Sequence, residues 1–430
     1  MRWPALALAA LPACQGATGT IILDLATAPG STVLDGVERL RVTVTAPRRT
    51  FETERTADGG FDLALELDAG VTAALIVEGF DASGGLVATG MSPDIGFGPT
   101  DAHVVIYVAP PMSIAAAPDT LSPARFGISA DTLIYGAVFA GGHDAQGVPS
   151  DRIEIYNAFD HTVVAGLPVP MPRTGVAIGS TPTGVYLMGG TDAAGAVSGA
   201  LVRFDTTARP SGAFTDLGAT PDLARTGERM VRIGSERFLI TGAPPLELVN
   251  REVRPRSDLA ALPTVGTSLP DASAALFVGG PTGLVRFAGE RFDALPGEPA
   301  RERAAVVARP SGELLVVGGG PPGEPTRAAL LVDPTTGTVT SRADTLEVGR
   351  YSPAVAATTR HVVIAGGIDA AGTPIASAEV LDAATLELLA TLPLAPRAGA
   401  VAIALSTGQV LVGGGDASPE LLELFTPPPP

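Results

Sequence analysis

The chain has 430 residues, enough for two or three domains or for one small domain beside a repeat array. A hydrophobic share of 46% excludes disorder along the whole length, and 52 glycines with 39 prolines favour many short strands over a helical bundle. The formal net charge of −17, with every basic residue an Arg, repels phosphate backbones and excludes nucleic acid as a partner.

The chain order begins with a leader. Residues 1–14 read MRWPALALAALPAC. Arg2 supplies a positive start, Ala5 to Leu11 a short apolar stretch, and small residues before Cys14 suit a signal peptidase. Cys14 is the only cysteine, so no intrachain disulfide forms. No apolar run reaches the about 18 residues of an ordinary membrane-spanning helix. The segment Leu11-Pro12-Ala13-Cys14 resembles the bacterial lipobox. That resemblance implies lipidation of Cys14 as the first residue of the mature chain and membrane contact through the lipid alone. Gln15, where sorting to the inner membrane would favour Asp, then implies the outer membrane. Residues 15–19 read as a short linker.

Residues 20–110 carry period-2 alternation. Leu40, Val42 and Val44 alternate with Arg39, Arg41, Thr43 and Thr45, and Phe61, Leu63, Leu65 and Leu67 alternate with Asp62, Ala64 and Glu66. Further strand-like runs cover 21–25, 71–77, 85–88 and 103–108, separated by turns such as Asp81-Ala82-Ser83-Gly84-Gly85. About seven short strands predict a β-sandwich. Leu67-Asp68-Ala69-Gly70, followed by a long strand and an Asp/Gly turn, resembles the immunoglobulin-like or prealbumin-like accessory domains of secreted bacterial proteins. Such domains act as spacers.

Residues 111–426 repeat. An apolar strand ending in glycine recurs, with the marking glycine at Gly142, Gly190, Gly242, Gly280, Gly319, Gly367 and Gly414. The intervals run from 38 to 52 residues, about 45 on average, which is the length of one four-stranded propeller blade. An Arg precedes the first strand of most units: Arg125, Arg173, Arg225, Arg301, Arg350 and Arg397. A third strand often ends in an acid or Asn, as at Asn157, Asp205, Asp333 and Asp382. These co-phased features resemble kelch-type repeats of the kelch and galactose-oxidase-like propellers. The expected architecture is therefore all-β, a small N-terminal β-sandwich followed by a kelch-like propeller of seven, alternatively six, blades. The last unit has one strand beyond its glycines, Leu421 to Phe425, so the run 112–117 is expected to supply its outer strand. The tail 427–430 is all proline and cannot donate to a sheet.

Chemistry is hard to place. The copper radical oxidases that share the propeller need a Cys cross-linked to Tyr, whereas Cys14 sits in the leader. His103, His143, His161 and His361 have no metal-ligand spacing, and no sialidase box or G-x-S-x-G elbow occurs. No cofactor or metal is expected. Three turns, beginning at Asp144, Asp192 and Asp369, read as hairpins in which Asp caps its own backbone. The six arginines have two readings. Either they form a ring at a shared mouth that contacts an acidic ligand, or each pairs with a carbonyl or acid of the neighbouring blade. The expectation is an envelope-anchored, non-catalytic binding or scaffold lipoprotein that recognises protein or acidic glycan. The alternative is a propeller enzyme acting on envelope carbohydrate as hydrolase, lyase or epimerase.

Overall fold

In the computed structural model, which describes residues 18–208, 211–279, 283–295 and 301–430, the N-terminal alternation resolves into two main sheets around one core. The expected leader with Cys14, residues 15–17 of the expected linker and Gly280 lie outside the described residues. The chain is all-β. Its helical content among the described residues is two 3-10 segments, Val33–Gly36 and Pro221–Leu223.

Strand Thr18–Ala26 lies between Ala64–Asp68, antiparallel, and Ala102–Tyr107, parallel. The second sheet runs Arg48–Glu54, Arg39–Thr45, Leu75–Phe80, Leu86–Met91, antiparallel throughout. The alternation decides which side chains turn inward. Ile21, Leu23, Val104 and Ile106 of one sheet meet Leu40, Val42, Val44, Leu75 and Val77 of the other, all buried. Each such side chain contributes about 1.5–3 kcal/mol by leaving water.

Three local departures from the expected strands have physical reasons. Arg48–Glu54 carries no apolar alternation because it is the edge of its sheet, and two of its charges, Arg49 and Glu52, are paired. Glu52 lies 2.9 Å from Arg41 and 3.0 Å from Arg39 on the neighbouring strand. The run 71–77 splits at Ala74, whose N–H donates to Thr45 Oγ1 and whose carbonyl accepts from Thr45 N–H. The 61–67 run is strand only from Ala64 on.

From Ser113 on, the named strands fall into seven antiparallel four-stranded sheets, a propeller-like arrangement. In each, the second strand is the glycine-terminated one of the repeat: Gly136–Ala140, Gly184–Met188, Arg237–Ile240, Ala274–Val278, Leu314–Gly318, His361–Ala365 and Val410–Gly413. The first strands are Ser129–Leu133, Ala177–Thr181, Met230–Gly234, Val265–Ser268, Ala304–Ala308, Ala354–Ala357 and Val401–Ala404. Each first strand touches the next, and Val401–Ala404 returns to touch Ser129–Leu133. These are the inner strands. Strand Ser113–Ala116 pairs with Leu422–Thr426 and supplies the outer strand of the last sheet. The start of the repeat region is thus stitched to its end.

A single four-stranded sheet has two apolar faces, and stacking neighbours buries both. Val138, Ile153, Val185, Leu187 and Phe204 pack the first sheet on the second. Ala137, Phe139, Leu411 and Leu424 pack it on the last.

The repeating glycines are demanded by the chain's bend at the end of each second strand. Gly142 has φ +85°, and a Cβ there would lie 2.6 Å from the Phe126 carbonyl oxygen. Both facts exclude a side chain. Gly190, Gly242, Gly319, Gly367 and Gly414 share the positive φ.

Candidate functional site at the axis

The six in-phase arginines are placed first, because the sequence offers them as a site. Five are buried, and Arg225 is half-buried. Arg125 Nη1 donates to the Gly141 and Arg152 carbonyls at 2.9 and 3.1 Å, and its Nη2 to the Glu154 carboxylate. Arg350 repeats this on the Gly366 and Ser377 carbonyls at 3.0 and 3.2 Å and on Glu379. Arg397 uses the Gly414 and Leu421 carbonyls, and Nε and Nη2 lie 3.0 and 2.7 Å from Glu423 Oε2. Arg173 has carbonyl and hydroxyl partners only: the Met171, Gly189 and Ala200 carbonyls and Ser198 Oγ. Arg301 donates to the Ala328 carbonyl at 2.7 Å, and Arg225 to the Thr241 carbonyl at 2.9 Å.

The spacing explains the phase. Five of the six reach a carbonyl 16 residues on at the glycine bend, one 27 residues on where the third strand begins, or both, and Arg397 reaches the equivalent carbonyls 17 and 24 residues on. Each clasps the second strand to the third within the sheet that follows it, rather than bridging to the preceding sheet. Burial lowers the pKa of Arg125 and Arg350 below the usual arginine value, and the charges of Glu154 and Glu379 oppose that shift. The acids that complete the clasp were not picked out from sequence. Their signal is a Glu at the second or third place of the third strand, in Ile153-Glu154, Ala378-Glu379 and Leu422-Glu423. In the third unit the corresponding Glu247 pairs instead with Arg237, Arg254 and Arg256.

The three Asp turns are self-capped hairpins. Asp144 Oδ1 accepts from the N–H groups of Gln146 and Val148, Asp192 Oδ1 from Ala194 and Ala196, and Asp369 Oδ1 from Ala371 and Thr373, all at 2.8–2.9 Å. Their side chains are consumed by the turn.

The four histidines stand apart. His103 is exposed beside Asp24, and His143 stacks on Phe126 at 5.8 Å between centroids. His161 is buried between the N-terminal sheets and the first repeat sheet. Its Nε2 accepts from the Tyr107 N–H at 3.2 Å and its Nδ1 lies 2.7 Å from the Tyr156 hydroxyl. Burial lowers its pKa to about 4. His361 is buried against Phe425. Among the described residues, no three His, Cys, Asp or Glu side chains gather as a metal site.

A polar concavity lies elsewhere, among the inner strands of the first four sheets. It is a cavity of about 400 Å³. Its lining includes Asp131, Ser180, Arg229, Arg232, Thr267 and Ser268, with Leu133, Ile134, Pro182 and Pro270 as apolar walls. Asp131 is held rigidly. Its Oδ2 accepts from the Ser180 N–H at 2.7 Å and lies 2.8 Å from Ser180 Oγ, and its Oδ1 accepts from the Thr132 N–H at 2.8 Å. Removal from bulk water raises its pKa, against those hydrogen bonds. Arg229 stands at the head of the third inner strand. It lines the cavity and is exposed to the space within it. Desolvation lowers its pKa, and the Asp131 charge opposes this. Arg232 donates to the Pro270 carbonyl at 3.3 Å. The arrangement offers an anion and two cations on a stiff frame, the means to hold a charged ligand. Sequence did not single these residues out because Asp131 and Arg229 are out of phase with the repeat, and phase was the only signal.

No family model and no curated protein matches the chain.

Proposed function

We propose that this chain is an exported, envelope-anchored binding protein whose ligand site is the axial cavity. In this reading the seven repeat sheets are the blades of a kelch-like propeller, and the two N-terminal sheets are a β-sandwich spacer between it and a lipid on Cys14. Rigid scaffolds with shaped central cavities suit recognition. The ligand carries acid groups, as a protein or a glycan does. The observation that carries the reading is the cavity of about 400 Å³ with Asp131 and Arg229 directed into one space. The clasp arginines serve the fold, so ligand contact passes from them to Arg229 and Arg232.

The test is affinity capture from native envelope extract, comparing the chain with an Arg229→Gln, Arg232→Gln variant of equal thermal stability. A discrete partner kept only by the unaltered chain supports the reading. Equal capture by both moves the site away from the axis.

The same cavity favours one second reading, carbohydrate turnover with Asp131 as general acid, because its pKa is raised and its orientation fixed. Glycoside hydrolysis normally uses two carboxylates, and Asp131 is the one in the lining. Turnover of an envelope glycan that is abolished by Asp131→Asn would establish this reading and replace the first.

A further inference from the structure

The cavity contains an unpaired couple of opposite charges. Asp131 and Arg229 feel each other's charge, yet no ion pair within 4.0 Å joins them among the described residues. The Arg229 guanidinium has no hydrogen-bond partner there either, although four other arginines of the same sheet and its neighbour, Arg225, Arg237, Arg254 and Arg256, all do. Opposite charges facing one cavity close into a contact where the frame lets them. Here the frame prevents collapse. Asp131 is tied to the first and second inner strands by Thr132 and Ser180, while Arg229 belongs to the third.

The donors already on Asp131 narrow what else it takes. Ser180 N–H and Thr132 N–H occupy one lone pair on each oxygen, and Ser180 Oγ competes for a third between Asp131 and the Thr132 carbonyl, 2.6 Å away. The remaining capacity suits a single compact donor. A carboxylate gains most from a donor that is itself a cation, and an unpartnered guanidinium from an anion that fits its planar fork. A neutral polyol satisfies neither. The lining also lacks the aromatic platforms on which sugar faces stack.

We infer that the axial cavity binds a zwitterion of the amino-acid or short-peptide class, with its ammonium at Asp131 and its carboxylate at Arg229. The inference rests on the axial cavity being the ligand site and selects among its acid-bearing ligands. Arg232 and Ser268 lie along the same wall for the intervening peptide groups, and Leu133, Ile134 and Pro270 provide apolar surface for small side chains.

The test is calorimetric titration of the full chain with L-alanyl-L-alanine, with its N-acetylated and C-amidated forms, and with D-galacturonate. The expected result is saturable binding of the free dipeptide and at least a tenfold loss on capping either end. Arg229→Gln, which leaves the Asp131 latch intact, should weaken the free dipeptide tenfold and make it indifferent to amidation. Asp131→Asn should do the same for acetylation, with circular dichroism confirming the fold. Equal binding of capped and free dipeptides would overturn the zwitterion. So would galacturonate binding more tightly, although an Arg229-dependent response to it would leave the axial site standing as a glycan site. Silence of every probe, with a partner still captured by the unaltered chain, would refute the zwitterion while sparing the binding function.

Discussion

Replacing Arg350 by Ala separates the structural and ligand-binding roles of the in-phase arginines. Arg350 and Glu379 are both fully buried. Glu379 also accepts the N–H groups of Glu347 and Val348 at 2.7 and 3.1 Å. The substitution leaves a buried carboxylate without its cation and removes the guanidinium donor from the Gly366 and Ser377 carbonyls, of which Ser377 keeps the Gly366 N–H. Removing one partner of a buried pair costs about 3–5 kcal/mol. The carbonyl losses overlap with that figure rather than adding to it. Arg225→Ala is the control. Arg225 is half-buried with no acid in its clasp, so about 1–2 kcal/mol is expected. The assay is urea unfolding followed by circular dichroism. The double change Arg350→Met with Glu379→Gln should regain part of the loss, since no charge is then stranded. Arg350→Ala unfolding within about 1 kcal/mol of the parent, together with lost ligand capture, would refute the clasp and restore the arginine ring as a site.

Three further outcomes follow from the same structure. His161 is neutral in the fold, with its pKa lowered from 6.5 to about 4, so the unfolded chain takes up a proton that the folded chain refuses. Stability is full above about pH 6.5 and falls by roughly 3 kcal/mol as the pH drops to about 4; His161→Gln should flatten that slope. Gly142→Ala meets the Phe126 carbonyl at 2.6 Å and should cost about 2–4 kcal/mol, whereas Gly147→Ala, at φ +80° with open space, should cost about 1. Ala115→Pro, in the strand that pairs Ala115 with Leu424, should lower the melting temperature by several degrees. Ala115→Val, which keeps the backbone N–H of that ladder, should lower it less.

The features legible in the sequence were the ones that repeat. The glycine-ended strand recurs because the bend excludes a Cβ, and the Arg recurs because it must reach that bend's carbonyl, so both announced themselves by period. The closing strand Ser113–Ala116 was legible by subtraction, since the last unit lacked a partner for Leu422–Thr426. Arg48–Glu54 was hidden because an edge strand needs no apolar face. Asp131 and Arg229 were hidden for the opposite reason to the glycines. A ligand site breaks the symmetry of its scaffold, and one carboxylate and one guanidinium about a hundred residues apart carry no local pattern. The in-phase arginines drew attention as a site because periodicity reports equivalence, and equivalence in a repeat follows from packing as readily as from binding.

The most direct test of the axial site is hydrogen exchange of the chain with and without its captured ligand. Protection should rise at residues 131–134, 180–181, 229–232 and 267–269, which line the cavity from four sheets. Protection confined to the hairpins at Asp144, Asp192 and Asp369, with the inner strands unchanged, would contradict the account and place recognition on the outer loops.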